Sequence, residues 1–261
     1  NKIEVSCVNE NGIESYRALT FADYKGKEKG SLYFIGFGVS KYKDSKLNLK
    51  YAHKDAQDLS ELVGKTKNRY DQVHIKTYLN EQVTRENIEQ AKTLLTGAKP
   101  DDTFILFIAG HGLHDQDREA TYYYLTHNTD LNNLSGTAAN FDLIEDLLQG
   151  IAPRNKLFLM DTCESGEVEE QAQNKFFSLA GSRGIKARTA RGLSVAVKTQ
   201  QKTSHKRPFL LERDRYIYND LTRRSGAIVF SSSKGGEFSY ESDSLQNGFF
   251  THEILNALKG K

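Results

Sequence analysis

Five short stretches of the chain are apolar almost without interruption: SLYFIGFGV at 31–39, VHIKTYL at 73–79, TFILFIA at 103–109, KLFLM at 156–160 and GAIVFSS at 226–232. Runs of this length, rich in β-branched and aromatic residues, read as strands buried on both faces. Between them apolar residues recur at helical spacing in AHKDAQDLSELVG at 52–64, TRENIEQAKTLL at 84–95 and FDLIEDLLQG at 141–150. Thr84 reads as an N-cap and Gly150 as a helix stop. Strands alternating with helices predict an α/β domain with a mostly parallel central sheet, flanked by helices in three layers. In such sheets chemistry gathers at the carboxyl ends of the strands.

Composition narrows the class. With 261 residues and 38% hydrophobic content, the chain can fill a sizeable core. Its 36 Lys plus Arg nearly cancel 34 Asp plus Glu, so nucleic acid and membrane are not expected as partners. The two cysteines, Cys7 and Cys163, form no CxxC pair, which argues against a disulfide scaffold, a zinc ribbon or an iron–sulfur site and points to a reducing, cytoplasmic setting. No apolar run approaches the roughly 18 to 20 residues that span a bilayer, and NKIEVSCVNE has no signal-peptide core. The chain starts without methionine and stops within a helical pattern at LNALKGK, so flanking sensor or repeat domains are expected in a longer protein.

One region breaks the alternation. From about 164 to 225 no clean strand or helix pattern holds until RDRYIYNDLTRR, and residues 172–224 carry 13 Lys or Arg against three acids. A loop this long inside a compact domain is either functional or a solvated excursion.

The residues able to do chemistry sit at two strand ends. FILFIAGHGLHD places His111 between two glycines, just beyond the third strand, and KLFLMDTCESGE places Cys163 in the matching position after the fourth. A thiol needs a base to take its proton, and an imidazole within reach supplies one at neutral pH. Either residue alone would be unremarked, because lone buried cysteines and satisfied histidines are common.

Taken together, FIAGHG and DTCESG make the chain resemble the caspase-like cysteine peptidases, within them the metacaspase, orthocaspase and bacterial caspase-like group. Caspases carry their histidine about 50 residues before the cysteine, and the separation here is 52. YFIGFGVSKY with NLKYAHKDA, TYYYLTHNTD, and SGAIVFSSSKGGEFSYE with GFFTHEILNAL extend the likeness over about 31–259. The resemblance implies the three-layer caspase-hemoglobinase fold. Residues 1–30 would then be a preceding segment or linker and 31–261 the peptidase domain. Within that domain 31–166 resembles the large subunit, 167–210 a basic linker open to processing, and 211–261 the small subunit. It further implies that Cys163 attacks a peptide carbonyl, that His111 manages the protons, and that the N–H groups of Gly112 and Cys163 stabilise the oxyanion.

By the same resemblance, Asp161, Asp55 and Glu241 with Tyr240 fall at positions lining the pocket for the residue before the cleaved bond. Up to three carboxylates facing one cavity favour Arg or Lys there, which makes proteins or peptides carrying those residues the expected substrates. Asp55 also falls in the first turn of a helix, where an acid complements the dipole, and Glu241 has a second, less favoured reading as a surface acid. Such a protease would find sites in its own basic segment, after Arg183, Lys186, Arg188 or Arg191, so activation by self-cleavage is expected.

No cofactor or resident metal is expected. GFG at 36–38 lacks the third glycine of a dinucleotide loop, and His111 with His114 has no third ligand. Asp115, Asp117 and Glu119 lack the calcium-loop pattern and leave calcium activation open. Two other classes share these residues: a catalytically silent interaction module of the same fold, and an amidase or acyltransferase using the same Cys/His dyad.

Overall fold

The computed structural model describes residues 2–21, 29–114, 121–165, 185–187, 221–222, 224–233 and 239–260. An antiparallel hairpin, β1 (Lys2–Val5) with β2 (Ala18–Phe21), precedes and stays outside the main sheet. That sheet is built on five parallel strands in the order β10-β8-β5-β3-β4. They are β3 (Leu32–Gly38), β4 (Val73–Leu79), β5 (Thr103–His114), β8 (Asn155–Ser165) and β10 (Ala227–Ser231). Two short strands, β6 (Tyr122–Tyr124) and β7 (Ala139–Asn140), add antiparallel pairing at the end of β5. A separate three-stranded sheet is ordered β12-β11-β9, from β9 (Ile185–Ala187), β11 (Tyr240–Ser242) and β12 (Asn247–Gly248).

Helices cover both faces. On one, α1 (Ala52–Gly64) and α5 (Phe249–Leu258) bury Ala52, Ala56, Leu59, Val63 and Leu255 against Leu32, Phe34, Phe107, Ala109 and Leu159. On the other, α2 (Arg85–Ala91) and α4 (Phe141–Asp146) bury Ile88, Ala91, Phe141 and Ile144 against Tyr33, Ile35, Leu106, Ile108 and Phe158. A single turn, α3 (Leu134–Thr137), precedes β7. The period-two alternation along β3 and β5 therefore feeds two separate cores, the arrangement that their unbroken apolarity predicts.

The local signals act as read. Thr84 accepts from the Asn87 N–H at 3.2 Å as the cap of α2. Gly150, at φ +63, sits in the left-handed region after α4. The helical run at 84–95 is α-helical only to Ala91 and continues as a 3₁₀ turn, Lys92–Leu95. That at 141–150 is helical to Asp146, with Leu147 and Leu148 still buried.

Three expectations differ. β5 and β8 run five residues past the predicted ends, because β6 on one side and their mutual pairing on the other satisfy the extra backbone groups. His111 and Cys163 therefore lie within strands, not in loops beyond them. Second, β10 is not buried on both faces: it is the outer strand of the described sheet, and Ile228 and Phe230 are 62% and 52% exposed. Third, the segment without a clean pattern does contain a strand, β9, too short to be seen as a periodicity.

The sheet and α1 meet through Gly38. A β-carbon there would lie 2.5 Å from the Ala52 carbonyl oxygen and 2.8 Å from the Ala56 methyl, so only glycine permits this approach. Gly38→Ala is expected to cost about 1–3 kcal/mol through overpacking, measured as a lower urea midpoint at unchanged slope. An unchanged midpoint would show that α1 can shift freely.

Candidate active site

The long parallel pairing of β5 with β8 sets His111 and Cys163 as direct Cα partners, with Gly112 opposite Glu164 one step on. The backbones of residues paired this way in neighbouring strands lie about 4.8 Å apart along the hydrogen-bonding direction. Gly112 is also paired with Tyr124 of β6. Gly110, between the apolar run and His111, has φ +151, and a β-carbon there would come 2.9 Å from the Tyr42 hydroxyl and 3.2 Å from the Tyr124 ring.

His111 is 1% exposed. Its backbone N–H donates to the Tyr42 hydroxyl at 3.0 Å, and its ring lies 5.3 Å from that of Tyr42. Its Nε2 is 2.8 Å from the Leu47 carbonyl oxygen. A carbonyl only accepts, so Nε2 carries the hydrogen, and in the neutral ring the basic lone pair belongs to Nδ1. The loop supplying both contacts is itself fixed. Asp44 accepts from the Lys46 N–H at 3.0 Å, and Asn48 accepts from the Tyr42 N–H at 2.8 Å, closing a 3₁₀ turn at Ser45–Leu47. The tyrosines of β6 brace the strands from behind. Tyr124 donates to the Ala109 carbonyl at 2.9 Å, and the Tyr122 hydroxyl lies 2.7 Å from that of Thr162.

All three nominated acids are buried: Asp55 and Asp161 at 0% exposure and Glu241 at 2%. Asp161, two residues before Cys163, accepts from the hydroxyls of Ser239 at 2.6 Å and Thr251 at 2.7 Å. Asp55 accepts from the Asn247 side chain at 2.9 Å and the Gly248 N–H at 3.0 Å. Glu241 accepts from the N–H groups of Lys50 at 3.0 Å and Tyr51 at 3.1 Å, just ahead of α1. Each acid is thus joined to, or part of, one stretch, 239–251. Asp55 does stand in the first turn of α1, yet its carboxylate reaches across to β12 and does not merely face solvent at a helix end. It is Glu241 that meets the start of that helix, and it is no surface acid. None of the three lines the apolar cavity between α1 and α5, which is walled by Leu59, Val63, Leu157, Leu159, Phe230 and Ile254. Tyr240 is half-buried in β11.

Of the remaining nominated residues, Lys186 lies in β9, opposite Glu241. Arg183, Arg188 and Arg191 lie outside the described residues, as do Asp115, Asp117 and Glu119. Among the described residues, no group of three His, Cys, Asp or Glu gathers to hold a metal ion, and no helix is long and apolar enough to cross a membrane. Sequence reasoning missed Tyr42, Leu47, Ser239 and Thr251. Leu47 acts through its main-chain oxygen, which leaves no residue-type signal, and the two hydroxyls gain meaning only once Asp161 is known to be buried beside them.

The caspase domain family model matches residues 35–261, and the chain belongs to that family, whose members are cysteine peptidases. Its fold is shared with protein GSU0716 from Geobacter sulfurreducens, whose crystal structure is 17% identical with a TM-score of 0.59, over 88% of this chain and 82% of that one. No curated protein matches the sequence.

Two measurements test the reading of these side chains. Glu241→Ala leaves the part-buried N–H groups of Lys50 and Tyr51 without this acceptor and is expected to cost about 1–3 kcal/mol, with Glu241→Gln recovering part of it; equal midpoints in urea for wild type and Glu241→Ala would remove this role. The second concerns His53, whose N–H donates to the Ser40 hydroxyl at 3.0 Å. Burial, with Lys41 and Lys54 adding to it, holds the His53 imidazole below its ordinary value. The unfolded chain therefore takes up this proton first as pH falls. Stability from this residue is present above an ordinary imidazole pKa of about 6.5 and is lost as pH drops through and below that value. Replacing His53 with Gln is expected to flatten the pH dependence of stability between pH 7 and pH 5; an identical slope would show that the residue titrates alike in both states.

Proposed function

We propose that the protein is a cysteine endopeptidase that cuts after Arg or Lys, with Cys163 as nucleophile and His111 as general base and acid. The observation that carries this reading is the register of β5 and β8, which makes His111 and Cys163 neighbours, together with the Leu47 carbonyl, which leaves Nδ1 of His111 as the base. The thiol proton passes to Nδ1 as sulfur attacks the peptide carbonyl. The imidazolium then protonates the departing amine, leaving a thioester that water hydrolyses with the same histidine as base. The N–H groups of Gly112 and Cys163 are assigned to the oxyanion, where a fixed donor is worth about 10²- to 10³-fold in rate.

Preference for Arg or Lys rests on Asp161, supported by Asp55, Glu241 and the Tyr240 segment. Asp55 and Asp161 are hydrogen-bonded to residues of the 239–251 stretch, and Glu241, within it, to the main chain just ahead of α1; a guanidinium or ammonium is the side chain that buried carboxylates bind by charge-assisted hydrogen bonds. The substrates are proteins or peptides, the setting a reducing cytoplasm, and calcium a candidate activator to be included in the assay. Processing within the basic segment belongs to the same reading.

The test is turnover of fluorogenic peptides ending in Arg, Lys or Asp by wild type, Cys163→Ala and His111→Ala, with and without calcium. Arg and Lys peptides are expected to be cut and Asp peptides not, with kcat falling by about 10³-fold or more in either variant. Asp161→Asn is expected to lower kcat/KM for Arg peptides by about tenfold or more, the loss of one charge-assisted contact. Absence of any Cys163-dependent turnover would leave the silent interaction module as the better reading, and turnover confined to small amides would favour the amidase.

A further inference from the structure

The start of α5 touches two of the three buried acids at once. Asn247 and Gly248, which lead into the helix, donate to Asp55 at 2.9 and 3.0 Å, and Thr251 in its first turn donates to Asp161 at 2.7 Å. A threonine within a helix can turn its hydroxyl to solvent or to a carbonyl of its own helix. Thr251 is fully buried and spends it on a carboxylate 90 residues away in the sequence. Ser239, also buried and placed just ahead of β11, donates to the same carboxylate at 2.6 Å. The two hydroxyls do not share an oxygen: Ser239 donates to Oδ1 and Thr251 to Oδ2.

The torsion that turns an aspartate carboxylate about its own stem has broad wells, so a carboxylate held at one oxygen still swings. Held at each oxygen by a group from a separate element, it keeps one plane. An ionised carboxylate has about four acceptor positions, and one hydroxyl on each oxygen fixes the plane without exhausting them. A guanidinium is a rigid planar fork that binds a carboxylate through two parallel N–H donors and needs that plane, whereas an ammonium is a point charge that binds from many directions. We propose that Thr251 is a positioning residue for substrate selection: with Ser239 it clamps Asp161 in the plane that accepts an Arg side chain before the cleaved bond, and so sets the preference for Arg over Lys. This rests on the peptidase reading above and deepens it by naming what orders its pocket acid.

A purely structural role for Thr251 makes the opposite demand on the side chain. If its buried methyl group is what matters, valine keeps it and serine loses it. For the clamp, serine keeps the hydroxyl, and valine fills the same space without a donor for Oδ2 of Asp161.

Kinetics of the full chain on two blocked fluorogenic peptides, identical but for Arg or Lys before the cleaved bond, test this in wild type, Thr251→Val, Thr251→Ser, and Asp161→Asn with and without Thr251→Val, with Cys163→Ala as the blank. Wild type is expected to favour the Arg peptide. Thr251→Val is expected to lose about tenfold of that Arg-over-Lys ratio in kcat/KM, mostly through KM, as for a lost hydrogen bond to a charged group, while Thr251→Ser keeps the wild-type ratio. On Asp161→Asn the valine is expected to change the ratio no further, because its effect passes through the carboxylate. Ser239→Ala removes the other donor and is expected to lower the same ratio, which keeps the test open if Thr251→Val does not fold. A wild type that cuts both peptides alike, a wild-type ratio in Thr251→Val or in Ser239→Ala, an equal loss in the valine and serine variants, or a loss that persists on Asp161→Asn would overturn the proposal while leaving the peptidase reading intact. Absence of Cys163-dependent turnover of either peptide by wild type would overturn both.

Discussion

The site depends on one stretch of parallel pairing, in which β5 and β8 stay in register from Thr103 opposite Asn155 to Leu113 opposite Ser165. A sheet strand is a ruler: each residue advances a fixed distance, and a slip of one position would send every side chain to the other face. Here the ruler is pinned by the two apolar cores, which take alternate residues of both strands. Phe104, Leu106 and Ile108 go one way with Phe158, while Phe107 and Ala109 go the other with Leu159. The free energy that aligns His111 with Cys163 is thus hydrophobic burial several residues away from either.

Around that alignment the protein uses main chain and hydroxyls to fix what the strands deliver. The Leu47 carbonyl selects the tautomer of His111, the Tyr42 hydroxyl holds its backbone, and the Tyr122 and Tyr124 hydroxyls brace Thr162 and Ala109. The acids follow the same logic. Asp55, Asp161 and Glu241 each join residues 239–251 to α1 or β8, so the carboxylates assigned to substrate also dock the carboxyl-terminal part of the domain onto the amino-terminal part. A charge removed there is expected to lower stability as well as the proposed substrate binding, and kcat/KM and stability measured on the same variants separate the two.

The strands, the helix at 52–64 and the cap at Thr84 were legible because each is a local pattern, an apolar period or a single side chain accepting from its own turn. The two strand ends bearing His111 and Cys163 were legible for the same reason, although not that the strands continue through them, since that requires β6 to arrive from elsewhere in the chain. β9 was invisible: three residues have no periodicity, and Ile185–Ala187 become a strand only where β11 offers its edge.

The sequence by itself determined the layered α/β class, the order of the strands along the chain, and the residue types able to do chemistry, because apolar periodicity and side-chain reactivity are properties of short segments. Only the tertiary structure decided that the Leu47 carbonyl meets His111, that Glu241 meets the start of α1, and that Ser239 and Thr251 meet Asp161. Those partners lie 64, 190, 78 and 90 residues apart, and a buried polar group takes whichever partner the packed cores leave within reach of it.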